Sequence, residues 1–388
     1  AAALFDTFDN SETETFTQEL NLNVERDSMS LVFGGFYMDD ETSRHTHFDN
    51  PQLILGFPAP SQFDFKHLKM NTESKAYFAD GTFDLSDTTR LSLGLRKTSD
   101  EFTSKQDNFI SVLVPTPVIA AQTCLREVVT EYSSTTSRAV LQHDLSNDSN
   151  VYASVSEGFK AGGYATYECG EAYNPEEVTS FEVGYKGSLS DSTTINASLF
   201  RYDYSDFQVL QVIGIQTVTR NAGDATVNGL EIEAVSEIND SLSVTSGLTL
   251  LDATYGAFQN VNGVQPELGM QQLEGNYLGN SPKVSLNLGV NYLQNITSGG
   301  TLTYRANASY KSKMYFSEFN EFSQEAYTIL DFNVIWENAD ETLRSRFFIK
   351  NLTDEDYISG YLSSATGGGR FGQWGTPRVY GVEISRNF

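Results

Sequence analysis

Apolar and polar residues alternate along many segments of the chain. Val284, Leu286, Leu288, Val290 and Tyr292 occupy every second position of one segment, with small or polar residues between them. A period of two places the apolar side chains on one face of a β-strand and the polar ones on the other. The alternation recurs at 20–24, 31–37, 77–83, 91–95, 151–155, 181–185, 230–234, 242–250, 302–310, 330–336 and 380–388. The pattern predicts an all-β protein with strands of about ten residues.

The segments between these strands alternate in length. Short polar turns are expected at 25–28, 86–89, 146–150, 188–192, 239–241, 294–300 and 338–341. Much longer connections are expected between them, at 38–74, 98–135, 160–179, 205–217, 252–282, 311–326 and 352–377. Tight turns at one end and long loops at the other are typical of a transmembrane antiparallel up-and-down β-barrel. We expect fifteen strands, or sixteen if residues 1–9 form one, which would make the count even, as closure requires.

Two local features refine this picture. Tyr292, Tyr304 and Trp336 lie on the apolar parity beside short turns, where a membrane-interface girdle would place aromatic rings. Between Leu199 and Phe200 the apolar parity slips, which indicates a β-bulge or a change of environment near the strand end. The alternative architecture is a soluble sandwich, which would need a second sheet to cover every apolar face.

Composition and charge exclude several classes of protein. Hydrophobic residues make up 39% of the chain, and no apolar run is long enough for a membrane-spanning helix. A barrel strand needs apolar residues only at every second position, so this low hydrophobicity is compatible with a barrel. The 51 acidic and 25 basic residues give a net charge of −26, which would repel nucleic acid.

The sequence contains few features that would indicate an enzyme. The four histidines are His45, His47, His67 and His143, and neither a nucleophile elbow nor a phosphate-binding glycine loop is present. We therefore expect neither an enzyme nor a resident cofactor. His45 and His47 form a His-x-His pair in an expected external loop and are weak candidates for metal ligands. Solvated loop histidines are the simpler interpretation.

Several motifs resemble those of TonB-dependent outer-membrane receptors. The segment 375–378, Gly-Thr-Pro-Arg, with the terminal Phe388, looks like the closing strand of that family's barrel, and 351–357, NLTDEDY, is similar to its Asn-Leu-x-Asp-x-x-Tyr segment. Further stretches that resemble the family are GFKAGG at 158–163, NPE at 174–176, EVGYK at 182–186, NAG at 221–223 and GLE at 229–231. The resemblance covers essentially the whole chain.

This resemblance implies a fold and a function. Family members have a barrel of 22 strands around an N-terminal plug, with a TonB-coupling box before the plug. The sequence shows neither, so we expect residues 1–388 to be a partial barrel domain without its plug and first strands. The implied function is active import across the outer membrane of a Gram-negative bacterium, most often of a ferric siderophore.

The resemblance also implies partners and site residues. Partners would be the TonB complex through the missing N-terminal region, outer-membrane lipid and lipopolysaccharide, the barrel-assembly machinery and a small-molecule metal chelate. Phe388 would be the C-terminal assembly signal. Candidates for a ligand vestibule in the external loops are Tyr164, Tyr167, Tyr173, Tyr361, Arg370, Phe371 and Trp374. Each of them could instead serve only to pack a loop.

Cys124 and Cys169 fall in two successive long connections on the oxidising side of the membrane. A disulfide between them would restrain both loops, and free buried thiols are the alternative.

Two functions from other classes remain open at this point. A complete sixteen-stranded passive porin would favour cations because of the acidic balance. A soluble all-β binding protein is the third hypothesis. The identity of the ligand is not readable from the sequence.

Overall fold

The computed structural model describes residues 6–50, 61–112, 119–164, 172–213, 216–262, 265–297, 299–364 and 369–387. Nearly all of this is antiparallel β-structure, which confirms the predicted fold class. A single 3-10 turn at Pro266–Leu268 is the helical element within these ranges. No helix in the described ranges is both long enough and apolar enough to cross a bilayer.

The strands follow one another in chain order. They are β1 Asp6–Arg26, β2 Met29–Asn50, β3 Ser61–Ser86, β4 Thr89–Val112, β5 Ile119–Ser146, β6 Ser149–Lys160, β7 Gly163–Tyr164, β8 Ala172–Tyr173, β9 Glu176–Ser190, β10 Thr193–Ser205, β11 Gln208–Ile213, β12 Gln216–Asn221, β13 Ala225–Asn239, β14 Leu242–Tyr255, β15 Gln259–Val261, β16 Met270–Gln272, β17 Val284–Asn295, β18 Thr301–Lys311, β19 Met314–Tyr315, β20 Ser323–Gln324, β21 Tyr327–Glu337, β22 Leu343–Lys350, β23 Ile358–Ser364, β24 Gly369–Trp374 and β25 Val379–Arg386.

Fifteen of these strands form one antiparallel meander. Their order is β1-β2-β3-β4-β5-β6-β9-β10-β13-β14-β17-β18-β21-β22-β25, and the other strands form five two-stranded sheets. The described part of 1–9 does not add a sixteenth strand, because Asp6–Asp9 already belong to β1. In an antiparallel meander of odd number the first and last strands run in the same direction. Within the described residues, β1 and β25 are the two edges of this sheet.

The alternation of short turns and long connections is confirmed. Two-residue turns join β1 to β2, β3 to β4 and β5 to β6, at residues 27–28, 87–88 and 147–148. The small sheets β7–β8, β11–β12, β15–β16, β19–β20 and β23–β24 all lie in the long connections at the opposite end. The end of the sheet opposite the short turns therefore carries nearly all the irregular structure, as a barrel with external loops requires.

The predicted loops at 38–74 and 98–135 are largely wrong. Most of those residues extend β2, β3, β4 and β5, and β5 alone is 28 residues long. A strand needs only about ten residues to cross a bilayer, whereas these four have 22 to 28, and we call their loop-side ends the projecting parts. No apolar alternation marks these segments, because their buried positions are occupied by polar residues: Asp100, Ser104 and Gln106 of β4 are 7%, 3% and 1% exposed. Residues 51–60 and 113–118 lie outside the described residues.

The main sheet has two chemically different faces. The side on which Leu20, Leu286 and Ile384 lie is called the outer face. The opposite side is called the inner face. The relative exposure of Leu20 and Ile384 is 70% each, so the apolar side is not covered by protein. Charged and polar side chains lie on the inner face, among them Asp80, Arg96, Arg138, Glu182, Arg305 and Arg346.

Of the two alternatives at Leu199 and Phe200, the bulge is wrong, and a change of environment accounts for the slip in parity. The register of β10 is unbroken at these residues against both neighbouring strands, and its one shift lies at Thr193 and Thr194. Phe200 is buried on the inner face, where its ring covers Gly229 of β13. The apolar residue on the polar parity therefore fills the space that a glycine leaves free.

Candidate functional site

The loop-bearing end of the sheet is held together by asparagine side chains that replace missing backbone partners. Asn221, at the end of β12, accepts a hydrogen bond from the Asn174 amide at 2.7 Å. Its own side-chain nitrogen donates to the carbonyls of Asn174 at 3.0 Å and Asp206 at 2.7 Å. The motifs NPE and NAG, distant in sequence, thus join two neighbouring loops.

Gln208 and Glu176 strengthen the same junction. The Glu176 carboxylate accepts the Gln208 amide at 2.6 Å, and the Gln208 side chain donates to the carbonyls of Ala161 and Asn174 at 3.0 Å each. A charged acceptor makes a stronger hydrogen bond than a neutral one. The rim between β6 and β13 is therefore a fixed platform for the loops above it.

A second latch joins the last two connections. Asn351 is 3% exposed and has a φ of 50°, a conformation that asparagine tolerates better than most residues. Its side chain accepts the Glu355 amide at 2.8 Å and donates to the carbonyls of Glu355 at 2.9 Å and Thr376 at 3.1 Å. Arg378 donates its backbone amide to Asp354 at 2.8 Å. The NLTDEDY and Gly-x-Pro-Arg motifs are thus two halves of one junction.

The connection between β14 and β17 is tied to the one between β18 and β21. The Tyr277 amide donates to Asn320 at 2.7 Å, and the Asn320 side chain donates to the Tyr277 carbonyl at 2.9 Å. The Asn260 side chain donates to the Glu318 carboxyl at 3.1 Å. Burial raises the pKa of this carboxyl because it penalises the charged form, and the nearby Glu321 adds to the effect.

An apolar core fills the space below these loops. Tyr255, Phe258, Leu273 and Leu278 are buried together with Val209. Other partly buried side chains pack against this core from adjacent connections, namely Tyr204, Phe207, Val227, Leu251 and Phe319. Loops with a buried core of their own hold a defined surface toward solvent, as a binding site requires.

Two of the predicted vestibule residues lie together on the inner face. Tyr164 of β7 and Tyr173 of β8 form a hairpin that folds over β5. The Tyr164 hydroxyl is hydrogen-bonded to Thr130, and the Tyr132 hydroxyl donates to the Tyr173 carbonyl at 2.9 Å. Phe102 of β4 packs edge-on against Tyr132 with ring centroids 5.9 Å apart. Tyr167 lies outside the described residues.

The other candidates lie elsewhere and do not form one cluster with these. Tyr361 of β23 stacks on Phe322, with ring centroids 4.6 Å apart, and on Phe316 at 6.0 Å. Phe371 and Trp374 of β24 are 46% and 68% exposed. The backbone of Arg370 is paired with Ser363 in the hairpin β23–β24. The candidates thus divide into two aromatic groups, one on β7–β8 and one on β23–β24.

Sequence reasoning missed Phe102, Thr130 and Tyr132. All three lie in the segment predicted as a loop at 98–135, although they share the even parity of the inner-face residues of β4 and β5. That parity was the available signal. Phe316 and Phe322 were missed because a loop has no periodicity that singles out a residue.

The metal and disulfide candidates are placed differently from the prediction. His45 and His47 lie in the projecting part of β2, not in a loop, with ring centroids 6.4 Å apart. No group of three potential metal-binding side chains occurs in the part of the chain that the structure describes. Cys124 belongs to β5, opposite Asn108 of β4, and Cys169 lies outside the described residues. The disulfide stays a prediction.

Aromatic residues mark two levels of the outer face. Near the short turns, Tyr292 and Tyr304 are cross-strand neighbours with ring centroids 6.1 Å apart, and Trp336 lies opposite Leu302. A second group, not foreseen from the sequence, lies toward the loops and consists of Phe16, Tyr37 and Tyr77. About nine residues of strand separate this second group from the short turns, which is close to a bilayer crossing. The terminal Phe388 lies outside the described residues.

Comparison with known proteins places these features in a family. Residues 2–352 match the family model described as TonB dependent receptor-like, beta-barrel. The chain is 22% identical to the ferric-pyoverdine 358 receptor of Pseudomonas putida, over 92% of this chain and 42% of the receptor. It is 24% identical to the pesticin receptor of Yersinia pestis, over 57% of this chain and 32% of that receptor. The chain thus spans less than half the length of either receptor.

Solved structures agree on the fold. The ferric yersiniabactin uptake receptor of Yersinia pestis superposes with a TM-score of 0.80 and 20% identity, over 100% of this chain and 56% of that one. A siderophore receptor of Acinetobacter baumannii superposes with a TM-score of 0.70 and 18% identity, over 97% of this chain and 56% of that one. At this level of identity the likeness shows the fold alone.

Proposed function

The chain belongs to the TonB-dependent receptor β-barrel family, and from that premise we propose that the whole protein is an active-transport receptor of a Gram-negative outer membrane. In this proposal it binds a ferric siderophore at its external loops and imports it with energy from the TonB complex. Receptors of this family are transporters, so we propose no enzymatic step. Residues 1–388 are proposed to form a partial barrel domain, with the plug and the first strands supplied by the rest of the protein.

The observation that carries the proposal is the aromatic group on the inner face at the loop-bearing end. Phe102, Tyr132, Tyr164 and Tyr173 gather there beside the Asn174–Asn221 junction. Aromatic rings bind flat or chelating groups by stacking, and tyrosine hydroxyls add hydrogen bonds. Such a surface suits a bulky chelate that must be held before transport.

The second aromatic group extends the proposed vestibule to the last loop. Tyr361 is fixed by stacking on Phe316 and Phe322, while Phe371 and Trp374 are exposed and could contact a ligand directly. We propose that the β7–β8 and β23–β24 hairpins bind the chelate from two sides. Tyr167 and Arg370 remain candidates.

The membrane placement is part of the same proposal. Tyr292, Tyr304 and Trp336 would form the girdle at the short-turn interface, and Phe16, Tyr37 and Tyr77 the one toward the loops. The exposed apolar residues between them would contact lipid and the lipid part of lipopolysaccharide. Phe388 is proposed to be read by the barrel-assembly machinery.

A complete sixteen-stranded porin is a weaker hypothesis. The meander has fifteen strands among the described residues, and its two edge strands run in the same direction. Closing such a sheet on itself would need a parallel pair, whereas bacterial barrels of this type have an even number of antiparallel strands. This supports the proposal that strands from the rest of the protein close the sheet. A soluble sandwich is equally disfavoured by the exposed apolar outer face.

Ligand binding by the full-length receptor in detergent tests this proposal. Titration with ferric siderophores of the hydroxamate, catecholate and mixed-ligand classes should quench the tyrosine and tryptophan fluorescence for at least one class. The iron-free form of the same molecule serves as the control for non-specific quenching. If no ferric chelate quenches the fluorescence in a saturable way, the protein is not an iron receptor.

A further inference from the structure

One strand of the main sheet has a long unpaired edge. β5 pairs with β4 from His143 up to Ile119, but it pairs with β6 only from Ser146 down to Arg138. Beyond this point β6 continues to Lys160, but it pairs only with β9. The edge of β5 at 125–135 therefore lacks a strand partner among the described residues.

The backbone groups at this edge point outward in alternation. The Ser137 amide donates to the Glu157 carboxylate of β6 at 3.0 Å, so odd-numbered residues direct their amides toward the β6 side. The Asp144 amide donates to the Thr88 carbonyl next to β4, so even-numbered residues point the other way. The register between these two strands is unbroken from Cys124 to His143. Six residues, at 125, 127, 129, 131, 133 and 135, thus present an amide and a carbonyl to the open edge.

The described part of the nearest connection, 161–164 and 172–175, does not pair with this edge. The β7–β8 hairpin follows β6 and could have continued the sheet beside β5. It folds over the inner face instead, where Tyr164 contacts Thr130 and the Tyr132 hydroxyl holds the Tyr173 carbonyl. Glu157 caps the Ser137 amide and hydroxyl at the point where the pairing with β6 ends. An unpaired edge of this length is a template for an added strand.

The outer face of the edge has a definite chemistry. Leu125 and Val129 are 63% and 56% exposed, and Glu127 and Glu131 alternate with them. In a strand added beside β5, every second side chain would lie next to one of these four residues. Apolar residues would match Leu125 and Val129, and cationic residues would match the two carboxylates.

We propose that the β5 edge at 125–135 binds an extended segment of a partner polypeptide as an added β-strand. The segment would carry apolar and cationic residues in turn on its outward-facing positions. A second copy of this chain fits poorly, because its net charge is −26 and antiparallel pairing of β5 with itself about Glu131 sets like carboxylates opposite each other. The surface goes beyond chelate transport, since it recognises a polypeptide outside the vestibule.

A designed peptide tests the surface directly. The probe is fluorescein-labelled Val-Thr-Lys-Thr-Val-Thr-Lys-Thr-Val, and its binding to the full-length receptor in detergent is followed by fluorescence anisotropy. The decisive variant is Ser133→Pro, because the ring removes only an amide that faces the open edge and leaves the pairing with β4 intact. Ser133→Ala is the matched control, since both variants lose the hydroxyl that accepts from Lys97.

The expected result is saturable binding that Ser133→Pro weakens at least about tenfold and Ser133→Ala changes less than about twofold. Replacing Glu127 and Glu131 by lysine should weaken binding as well, and a probe with glutamate in place of lysine should not bind. Hydrogen exchange of β5 amides at 127–135 should slow when the probe is bound. No binding, or equal binding by the proline and alanine variants, would overturn the proposal.

Discussion

Arg138 and Asp80 form a bidentate ion pair across the strand that lies between them. The Nε and Nη2 atoms of Arg138 each lie 2.8 Å from a carboxylate oxygen of Asp80. Asp80 belongs to β3 and Arg138 to β5, and the residue of β4 that faces both is Gly94. The missing side chain of Gly94 lets the two charges meet above the intervening strand.

A side chain at Gly94 should therefore disturb the inner face. A Cβ atom there would lie 2.5 Å from Asp80 Oδ2 and 2.9 Å from Arg138 Cγ, so Gly94→Val forces the pair apart. We expect a loss of about 1–3 kcal/mol in stability, as for other overpacked sites. The measurement is the temperature above which the full-length barrel, heated in detergent, no longer migrates on a gel as the compact folded form.

The control for this prediction is Gly247→Val in β14, where an added Cβ meets no heavy atom within 4 Å. This variant should unfold close to the wild-type temperature. If both valine variants unfold at the same temperature, the close approach at Gly94 does not carry the effect.

The Asn351 junction should decide how firmly the last loop is held. Asn351→Ala removes three hydrogen bonds and places alanine at a φ of 50°, so we expect a loss of about 2–4 kcal/mol in the stability of this junction. The loop that carries β23–β24 should then be cleaved faster by a protease added to the folded receptor.

Asn351→Gly separates the two causes. Glycine adopts the same backbone conformation without strain but makes none of the side-chain hydrogen bonds. Cleavage at an intermediate rate would assign part of the effect to each cause. Wild-type cleavage rates for both variants would contradict the assigned role of this junction.

The docking of the 312–326 loop should depend on pH through Glu318. Because burial raises the pKa of its carboxyl, the docked state binds its proton more tightly than the undocked state. Docking is therefore strongest below the ordinary pKa of about 4.5 and weakens as pH rises to the raised pKa, above which no further change occurs. Hydrogen exchange of this loop, measured from pH 4 upward, should show the weakening.

Glu318→Gln keeps an oxygen that accepts from Asn260 but cannot ionise. Exchange of the loop in this variant, corrected for the intrinsic pH dependence, should be flat over the same range. A slope equal to that of the wild type would mean that another group is responsible.

Tyr132 should contribute to chelate binding through two separable interactions. Its hydroxyl holds the Tyr173 carbonyl, and its ring packs against Phe102. Tyr132→Phe removes one hydrogen bond and should weaken binding of the ferric chelate about fivefold, whereas Tyr132→Ala also removes the ring and should weaken it at least about tenfold. Fluorescence titration with the chelate that the wild type binds is the measurement.

A matched control for Tyr132 is Tyr304→Phe on the outer face near the short turns. Its hydroxyl makes one hydrogen bond, to Gln294 at 3.3 Å, far from the proposed vestibule. Chelate affinity should not change in this variant. An equal loss in Tyr132→Phe and Tyr304→Phe would contradict the proposed position of the site.

Most strands of the main sheet could be predicted from the sequence because each has one apolar and one polar face. The alternation from Val284 to Tyr292 matches β17, and the turn expected at 294–300 joins it to β18. The projecting parts of β2 to β5 could not be predicted in this way. The buried face of those segments carries polar residues such as Asp100, Ser104 and Gln106, so no apolar period marks them.

The candidate site was predictable only in part, for a related reason. Asn174, Asn221 and Asn351 lie in motifs that resemble the family, but their hydrogen bonds to loops distant in sequence depend on the folded rim. Tyr164 and Tyr173 were identified as loop aromatics. Their partner Tyr132 lies in the predicted 98–135 loop, and only its position in β5 places it beside them.

The central claim is most directly tested by uptake of radioactive iron in the native bacterium under iron limitation. The account predicts that cells take up iron from at least one ferric siderophore, and that deleting the gene or disrupting TonB abolishes this uptake to the same extent. Unchanged uptake of every ferric siderophore after deletion would contradict it. Uptake that needs the gene but not TonB would favour a passive channel instead.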